Sequence, residues 1–262
     1  LAKIDESVYI FGGTSDELGG PKPNEDYFTF KVLSPETLFI AVADGMGSKP
    51  STLQPAAIAC IKAVDTIQRL YETDADTFFS NPSMMVTEAM HVANHVLGAF
   101  KISNEEQHSG FATSLTCVLI YERNKFCFSH SGSCRINLIR AEQDGKSRII
   151  QITEDHTQAA ELLNAGAITQ DEFNMHPDRY VLKSSIGVVN NPDIHQFTGK
   201  IKQGDILLIT TDGVHYHIRP EYLAEIVFSA QNWEDATKGL IQGSRLEKVA
   251  DNATAVLFIN PK

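Results

Sequence analysis

Thr37-Leu38-Phe39-Ile40-Ala41-Val42-Ala43-Asp44-Gly45-Met46-Gly47 is a compact apolar run that ends on an acid and a glycine. The apolar part, Thr37 to Ala43, reads as a strand of the buried core. The same pattern returns late in the chain, where Ile206-Leu207-Leu208-Ile209-Thr210-Thr211 runs into Asp212-Gly213. Two further acids precede strand-like runs. Asn24-Glu25-Asp26 leads into Tyr27-Phe28-Thr29-Phe30, and Asp251-Asn252 leads into the run Ala253 to Ile259. Four Asp residues therefore sit at the ends of core strands.

Working outward, Ser114 to Ile120 is another apolar strand and Lys125 to Ser131 alternates in part, with Asn124-Lys125 linking the two closely enough for a hairpin. From Ser51 to Tyr71 apolar residues recur at helical spacing. Asn81-Pro82 combines an N-cap with a proline at the first helical position. It opens a second helix with Val86, Met90, Ala93, Val96, Leu97 and Phe100 on one face. Shorter helices are expected over 156–164, 169–175, 220–229 and 233–247. Antiparallel strand runs with segregated helices indicate an α+β fold. No repeat, low-complexity run or Pro/Ser-rich linker divides the chain, so a single domain over 1–262 is expected.

The balance of 33 acids against 22 Lys and Arg gives a net charge of −11. This argues against nucleic acid as a partner and against an anionic membrane surface. No run is long and apolar enough to span a bilayer. Cys60, Cys117, Cys127 and Cys134 sit in apolar company, three of them in expected strands, and form no C-x-x-C pair. They read as reduced thiols of a cytoplasmic protein, with zinc and a disulfide framework disfavoured.

A single Asp-Gly pair is a favoured hairpin turn. Four Asp at strand ends, with Glu25 as a fifth acid, point elsewhere. Carboxylates that converge away from water repel one another unless a cation neutralises them. An all-oxygen ligand set selects Mg²⁺ or Mn²⁺.

At these residues the chain resembles the metal-dependent Ser/Thr protein phosphatases of type 2C, the PPM family, in its bacterial style. Asn24-Glu25-Asp26 resembles the family's N-E-D, and Ala41 to Gly47 its V-A-D-G-M-G. Phe111-Ala112-Thr113-Ser114-Leu115 corresponds to G-T-T-L, Gly132-Ser133-Cys134-Arg135 to G-D-S-R, and Thr153 to Thr157 to T-x-D-H-S. Glu161 to Thr169 and His176-Pro177 are similar to the family's helical flap, an insert over about 156–198. Leu182 to Gly187 is similar to L-T-R-x-x-G, and Asp212-Gly213 and Asp251-Asn252 to the two remaining metal motifs.

The resemblance implies a four-layer α-β-β-α sandwich of two antiparallel sheets flanked by helices. It implies two Mn²⁺ or Mg²⁺ ions, with Asp44 bridging them and the Gly45 carbonyl as a ligand. Asp212 and Asp251 are implied to hold one metal, Asp26 to contribute directly or through water, and Glu25 to hold a water of the second. The implied reaction is attack of a metal-activated water on phosphoserine or phosphothreonine, opposing a bacterial Ser/Thr kinase.

Three departures qualify it. No Arg precedes N-E-D, and Lys22 in Gly19-Gly20-Pro21-Lys22-Pro23 is the candidate phosphate contact, a point charge in place of a bidentate fork. Ser133 replaces the Asp of G-D-S-R, so a third metal site is expected to be absent or weak. Asp44-Gly45-Met46-Gly47 continues into Ser48-Lys49-Pro50, with no evident general acid, and Met46 is expected to pack. His215-Tyr216-His217 is read as an H-x-H in a surface loop, structural or solvated rather than a metal site. Two functions stand at this point: an active phosphatase, and a pseudophosphatase that binds phosphoproteins as a regulatory module. Retention of Glu25, Asp26, Asp44, Asp212 and Asp251 favours the enzyme.

Overall fold

A computed structural model describes residues 10–16, 24–46, 54–103, 110–142, 147–188, 190–245 and 251–260. The strands are β1 (Ile10–Asp16), β2 (Asp26–Ser34), β3 (Thr37–Met46), β4 (Ala112–Tyr121), β5 (Lys125–Ser131), β6 (Arg135–Ala141), β7 (Ser147–Gln151), β8 (His195–Lys200), β9 (Ile206–Thr210) and β10 (Ala253–Ile259). The helices are α1 (Pro55–Thr73), α2 (Ala75–Ser80), α3 (Pro82–Ser103), α4 (Gln158–Asn164), α5 (Gln170–Met175), α6 (Asp212–His215), α7 (Pro220–Ser229) and α8 (Trp233–Ser244).

The strands form two antiparallel five-stranded sheets, in the orders β1-β10-β9-β6-β7 and β2-β3-β4-β5-β8. Successive side chains of a strand point to opposite faces, and in β3 both faces are covered. Leu38, Ile40 and Val42 pack between the sheets with Val118, Phe128, Ile209, Val256 and Phe258. Phe39, Ala41 and Ala43 point outward into a second apolar layer with residues of α1 and α3. On the far sheet, Leu208, Ala255 and Leu257 pack outward against α7 and α8. Burial on both faces explains why β3, β4 and β9 are unbroken apolar runs. The result is the α-β-β-α sandwich expected from the resemblance.

The helices sit where their sequence signals place them. Asn81 caps α3 through Met84 N–H to Asn81 Oδ1 at 3.3 Å. In α1 the buried face is Ala56, Ala59, Cys60, Ala63 and Ile67, while Ile61 is exposed. Val64, Leu70 and Tyr71 pack against the same layer half-buried, and small residues let α1 pack closely on β2, β3 and α3.

Between β7 and β8 the chain forms the helical insert of α4, α5 and a 3₁₀ turn, Pro177–Tyr180. It has its own small apolar cluster of Ala159, Ala160 and Phe173, against which Tyr216 packs from outside. Cys134 lies in the short loop before β6 rather than in a strand, and all four cysteines are free and buried.

Candidate active site

The inward-facing positions of the sandwich change character at one end. On β3 the series Leu38, Ile40, Val42 continues to Asp44, and on β2 Phe30 and Phe28 lead to Asp26. Asp26 and Asp44 are direct partners in the β2–β3 register. The same parity takes β9 from Ile209 to Thr211, β10 from Val256 to Thr254, and β4 from Val118 through Thr116 to Ser114. Strand alternation that fills the core thus delivers a polar floor at the mouth of the sandwich.

Asp26 and Asp212 are buried there, and Asp44 is half-buried. Burial pushes the Asp26 carboxyl up to about 7; hydroxyls of Thr211 and Thr254 oppose the shift, and the charges of Asp212 and Asp251 add to it. Asp44 is held well above the carboxylate range by desolvation first, then by Asp212, Asp26 and Asp251. Asp212 is raised to about 6 by burial and by Asp251. The carboxylates therefore disfavour one another's charge, a repulsion that a cation would relieve.

Neither Asp-Gly pair is a hairpin turn. Asp44-Gly45 continues β3, and Asp212-Gly213 opens α6. Glycine is required at both for close approach of another acid-bearing segment. A Cβ on Gly45 would come within 2.7 Å of the Glu25 carbonyl oxygen, and one on Gly213 within 1.9 Å of the Asn252 carbonyl oxygen. The Gly45 N–H donates to the Glu25 carbonyl at 3.1 Å, and the Glu25 N–H donates to Asn252 Oδ1 at 2.9 Å. Glu25 and Asp251 are thereby drawn to the same mouth from opposite sheets.

Thr113 Oγ1 donates to the Asp44 carbonyl at 2.8 Å, and Thr113 also bridges to Ile186 at the end of the insert. Ser133 is buried, with Ser133 N–H donating to Ser114 Oγ at 3.0 Å and the two hydroxyls 3.1 Å apart. Ser114 is the register partner of Asp44, so Ser133 lies one strand from it. Cys134 is also close enough for Asp44, Asp26 and Asp212 to act on it, and burial pushes its thiol up. Lys22 lies outside the described residues, as do Gly47, Ser48, Lys49 and Pro50.

Two expectations are corrected. Met46 is exposed rather than packed, because it is the last residue of β3 and projects beyond the layers. His215-Tyr216-His217 does not form a surface loop, and of the two alternatives it is structural: His215 ends α6, is buried, and shares a hydrogen bond with Thr210 Oγ1 at 2.9 Å.

Sequence reasoning also passed over Tyr216. Its hydroxyl donates to the Arg179 carbonyl at 2.9 Å and to Asp155 Oδ2 at 3.3 Å. Arg135 grips Asp155 through two or more N–H bonds and lies 5.1 Å over the Tyr216 ring. Arg179 lies 4.8 Å over the same ring. Tyr216 N–H donates to the Asp212 carbonyl, so this tyrosine joins the insert to the helix that carries Asp212.

The donor set is all oxygen and rich in confined negative charge, which fits hard divalent cations. Among the described residues, no three His, Cys, Asp or Glu side chains already form a closed cage around one point. The acids are close neighbours across the gap between sheets rather than a finished coordination sphere.

A family model for protein phosphatase 2C matches residues 17–250. The protein phosphatase PhpP of Streptococcus pneumoniae is 26% identical over 242 residues, covering 89% of this chain and 90% of PhpP. The serine/threonine phosphatase of S. agalactiae superposes with a TM-score of 0.81 at 22% identity, covering 96% of this chain and 99% of that one. The catalytic domain of the serine/threonine phosphatase PstP, solved with two manganese ions, superposes with a TM-score of 0.74 at 23% identity, covering 96% and 98%. With the family match running through β2 to α8, the insert and both Asp-Gly segments, the chain belongs to the protein phosphatase 2C family.

Proposed function

We propose that this protein is a metal-dependent phosphatase that hydrolyses phosphoserine and phosphothreonine in proteins, acting through the acids at the mouth of the sandwich. The observation that carries this reading is the convergence of acids from both sheets on one mouth: Asp26 and Asp44 are register partners, Thr211 beside Asp212 donates to Asp26, and the Glu25 N–H donates to Asn252 beside Asp251. A fold keeps such a cluster when a cation completes it. In this reading Asp44, with the Gly45 carbonyl beside it, would hold two Mn²⁺ or Mg²⁺ ions together with Asp212, Asp251, Asp26 and Glu25.

When bound, the ions supply an activated water and offset charge on the phosphoryl oxygens. The chain's own residues do the positioning. Gly45 and Gly213 let the segments of Glu25 and Asp251 close on the cluster, and the Glu25–Asn252 bond ties the two sheets beside it. Thr113 fixes the backbone of Asp44. The phosphate contact falls to Lys22. Ser133 offers a hydroxyl where a third cation would need charge, so two ions complete the site. The chain acts as one phosphatase domain, its 156–198 insert flanking the mouth.

The partners in this reading are phosphorylated proteins and the Ser/Thr kinase pathway that makes them. Four free, buried cysteines support a reducing, cytoplasmic setting, and among the described residues no helix is long and apolar enough to cross a membrane. The test is phosphate release from phosphoserine and phosphothreonine peptides with Mn²⁺, with Mg²⁺ and with chelator. Release is expected with either ion and is lost on chelation. Peptide binding without release under any ion would assign the chain to the phosphoprotein-binding class.

A further inference from the structure

Asp26 is held unlike the other acids. It opens β2 on one sheet, while Thr211 follows β9 and Thr254 lies in β10 on the other. Both threonine hydroxyls donate to the same carboxylate oxygen, Asp26 Oδ2, at 2.8 Å each. The two threonines are locked to each other as well. Thr254 N–H donates to Thr211 Oγ1 at 2.9 Å, and Thr211 N–H donates to the Thr254 carbonyl at 3.1 Å. The Thr211 hydroxyl therefore has its proton committed to Asp26 and a lone pair committed to Thr254, which fixes its direction. All three side chains are buried.

This arrangement divides the Asp26 carboxylate. Two hydroxyl donors occupy the acceptor capacity of Oδ2, so Oδ1 is the oxygen left to face a cation or a water on it. Packing alone does not explain two hydroxyls here. Valine has nearly the shape of threonine, and the inward positions just below, Ile209 and Val256, are apolar. The hydroxyls are present because a carboxylate on the opposite sheet has to be met. Groups that orient a ligand in this way set metal affinity without touching the metal.

We propose that Thr211 and Thr254 are positioning residues for Asp26, a two-hydroxyl clamp across the gap between sheets that aims Oδ1 at the cation before the cation arrives. This rests on the metal reading given under Proposed function.

The test is calorimetric titration of Mn²⁺ into the full chain as wild type, Thr254→Val and Thr254→Ser, with thermal unfolding in chelator alongside. Thr254→Val is expected to weaken Mn²⁺ binding by about tenfold or more. Thr254→Ser, which restores the hydroxyl, is expected to recover most of that loss. Thr211→Val removes the other hydroxyl and carries the same expectation, so the result does not depend on one variant folding. Unchanged Mn²⁺ binding in both folded valine variants would overturn the clamp, as would a serine variant as weak as the valine one. Failure of the wild type to bind Mn²⁺ would instead overturn the metal reading, and the clamp with it.

Discussion

The charges of Asp212, Asp26 and Asp251 all act on Asp44 in the same direction, on top of desolvation. Asp44→Asn and Asp212→Asn remove a charge that the proposed chemistry needs and a repulsion that the metal-free fold does not. Each variant is expected to lose about a hundredfold or more in peptide turnover at saturating Mn²⁺. Thermal unfolding in chelator is expected at or above the wild-type temperature. Wild-type rates from Asp44→Asn would refute its role. Ser133 makes the opposite case. Its hydroxyl is buried against Ser114, one strand from Asp44, with room and charge suited to a neutral group. Ser133→Asp is expected to bind one additional Mn²⁺ at millimolar concentration and to unfold earlier than wild type in chelator, since an unpaired buried carboxylate is costly. Equal stability with and without metal, and no added ion, would show that position 133 does not face the cluster.

At the scale of elements, the apolar runs were the legible part. β3, β4, β5, β9 and β10 lie where their runs place them, because burial on both faces leaves an uninterrupted signature. Three strands without such a run lack that burial. β7 and β8 are sheet edges with much of their surface in water, and β1 carries Gly12-Gly13, the first of which accommodates the ring of Trp233 where a Cβ would sit. Short helices α2 and α6 are too brief for a periodicity to develop. In the site, the four Asp were legible because each abuts a core strand. Thr211 and Thr254 required knowing which face of β9 and β10 points inward, which the pairing of sheets decides. Tyr216 was obscured by its flanking histidines. It contacts the insert from α6 through ring and hydroxyl together, and Tyr216→Phe removes the hydroxyl's bonds to Arg179 and Asp155. That variant is expected to raise proteolytic cleavage within 156–198 several-fold, and Tyr216→Ala to raise it further. Cleavage unchanged in Tyr216→Ala would contradict the anchoring.

For the whole molecule, pH acts through buried groups of both signs. His130 is fully buried on β5, its ring 5.2 Å from that of His156 and in register with His195 on β8. The Gly132 carbonyl, 3.1 Å from Nε2, requires Nε2 to donate, so Nδ1 accepts from the Thr116 hydroxyl at 2.8 Å. Burial, with His156 and His195 adding, holds its pKa down to about 3. The unfolded chain takes this proton near pH 6.5 and the folded chain refuses it, so the stability His130 confers is complete above that pH and drains as pH falls toward 3. Between pH 8 and pH 5 the loss is about 2 kcal/mol. Asp26 and Asp212, raised in the metal-free fold, pull the other way, so the comparison that isolates His130 is the difference between wild type and His130→Gln in chelator. Urea unfolding is expected to show that difference shrinking by about 2 kcal/mol from pH 8 to pH 5; a constant difference would contradict a neutral buried histidine. In the proposed site the acids of two sheets meet around cations. Anomalous diffraction at the manganese edge from crystals grown with Mn²⁺ tests it most directly. Two peaks are predicted, both in contact with Asp44 and one of them with Asp212 and Asp251; a map with no peak among these acids, from a protein that still releases phosphate, would contradict it.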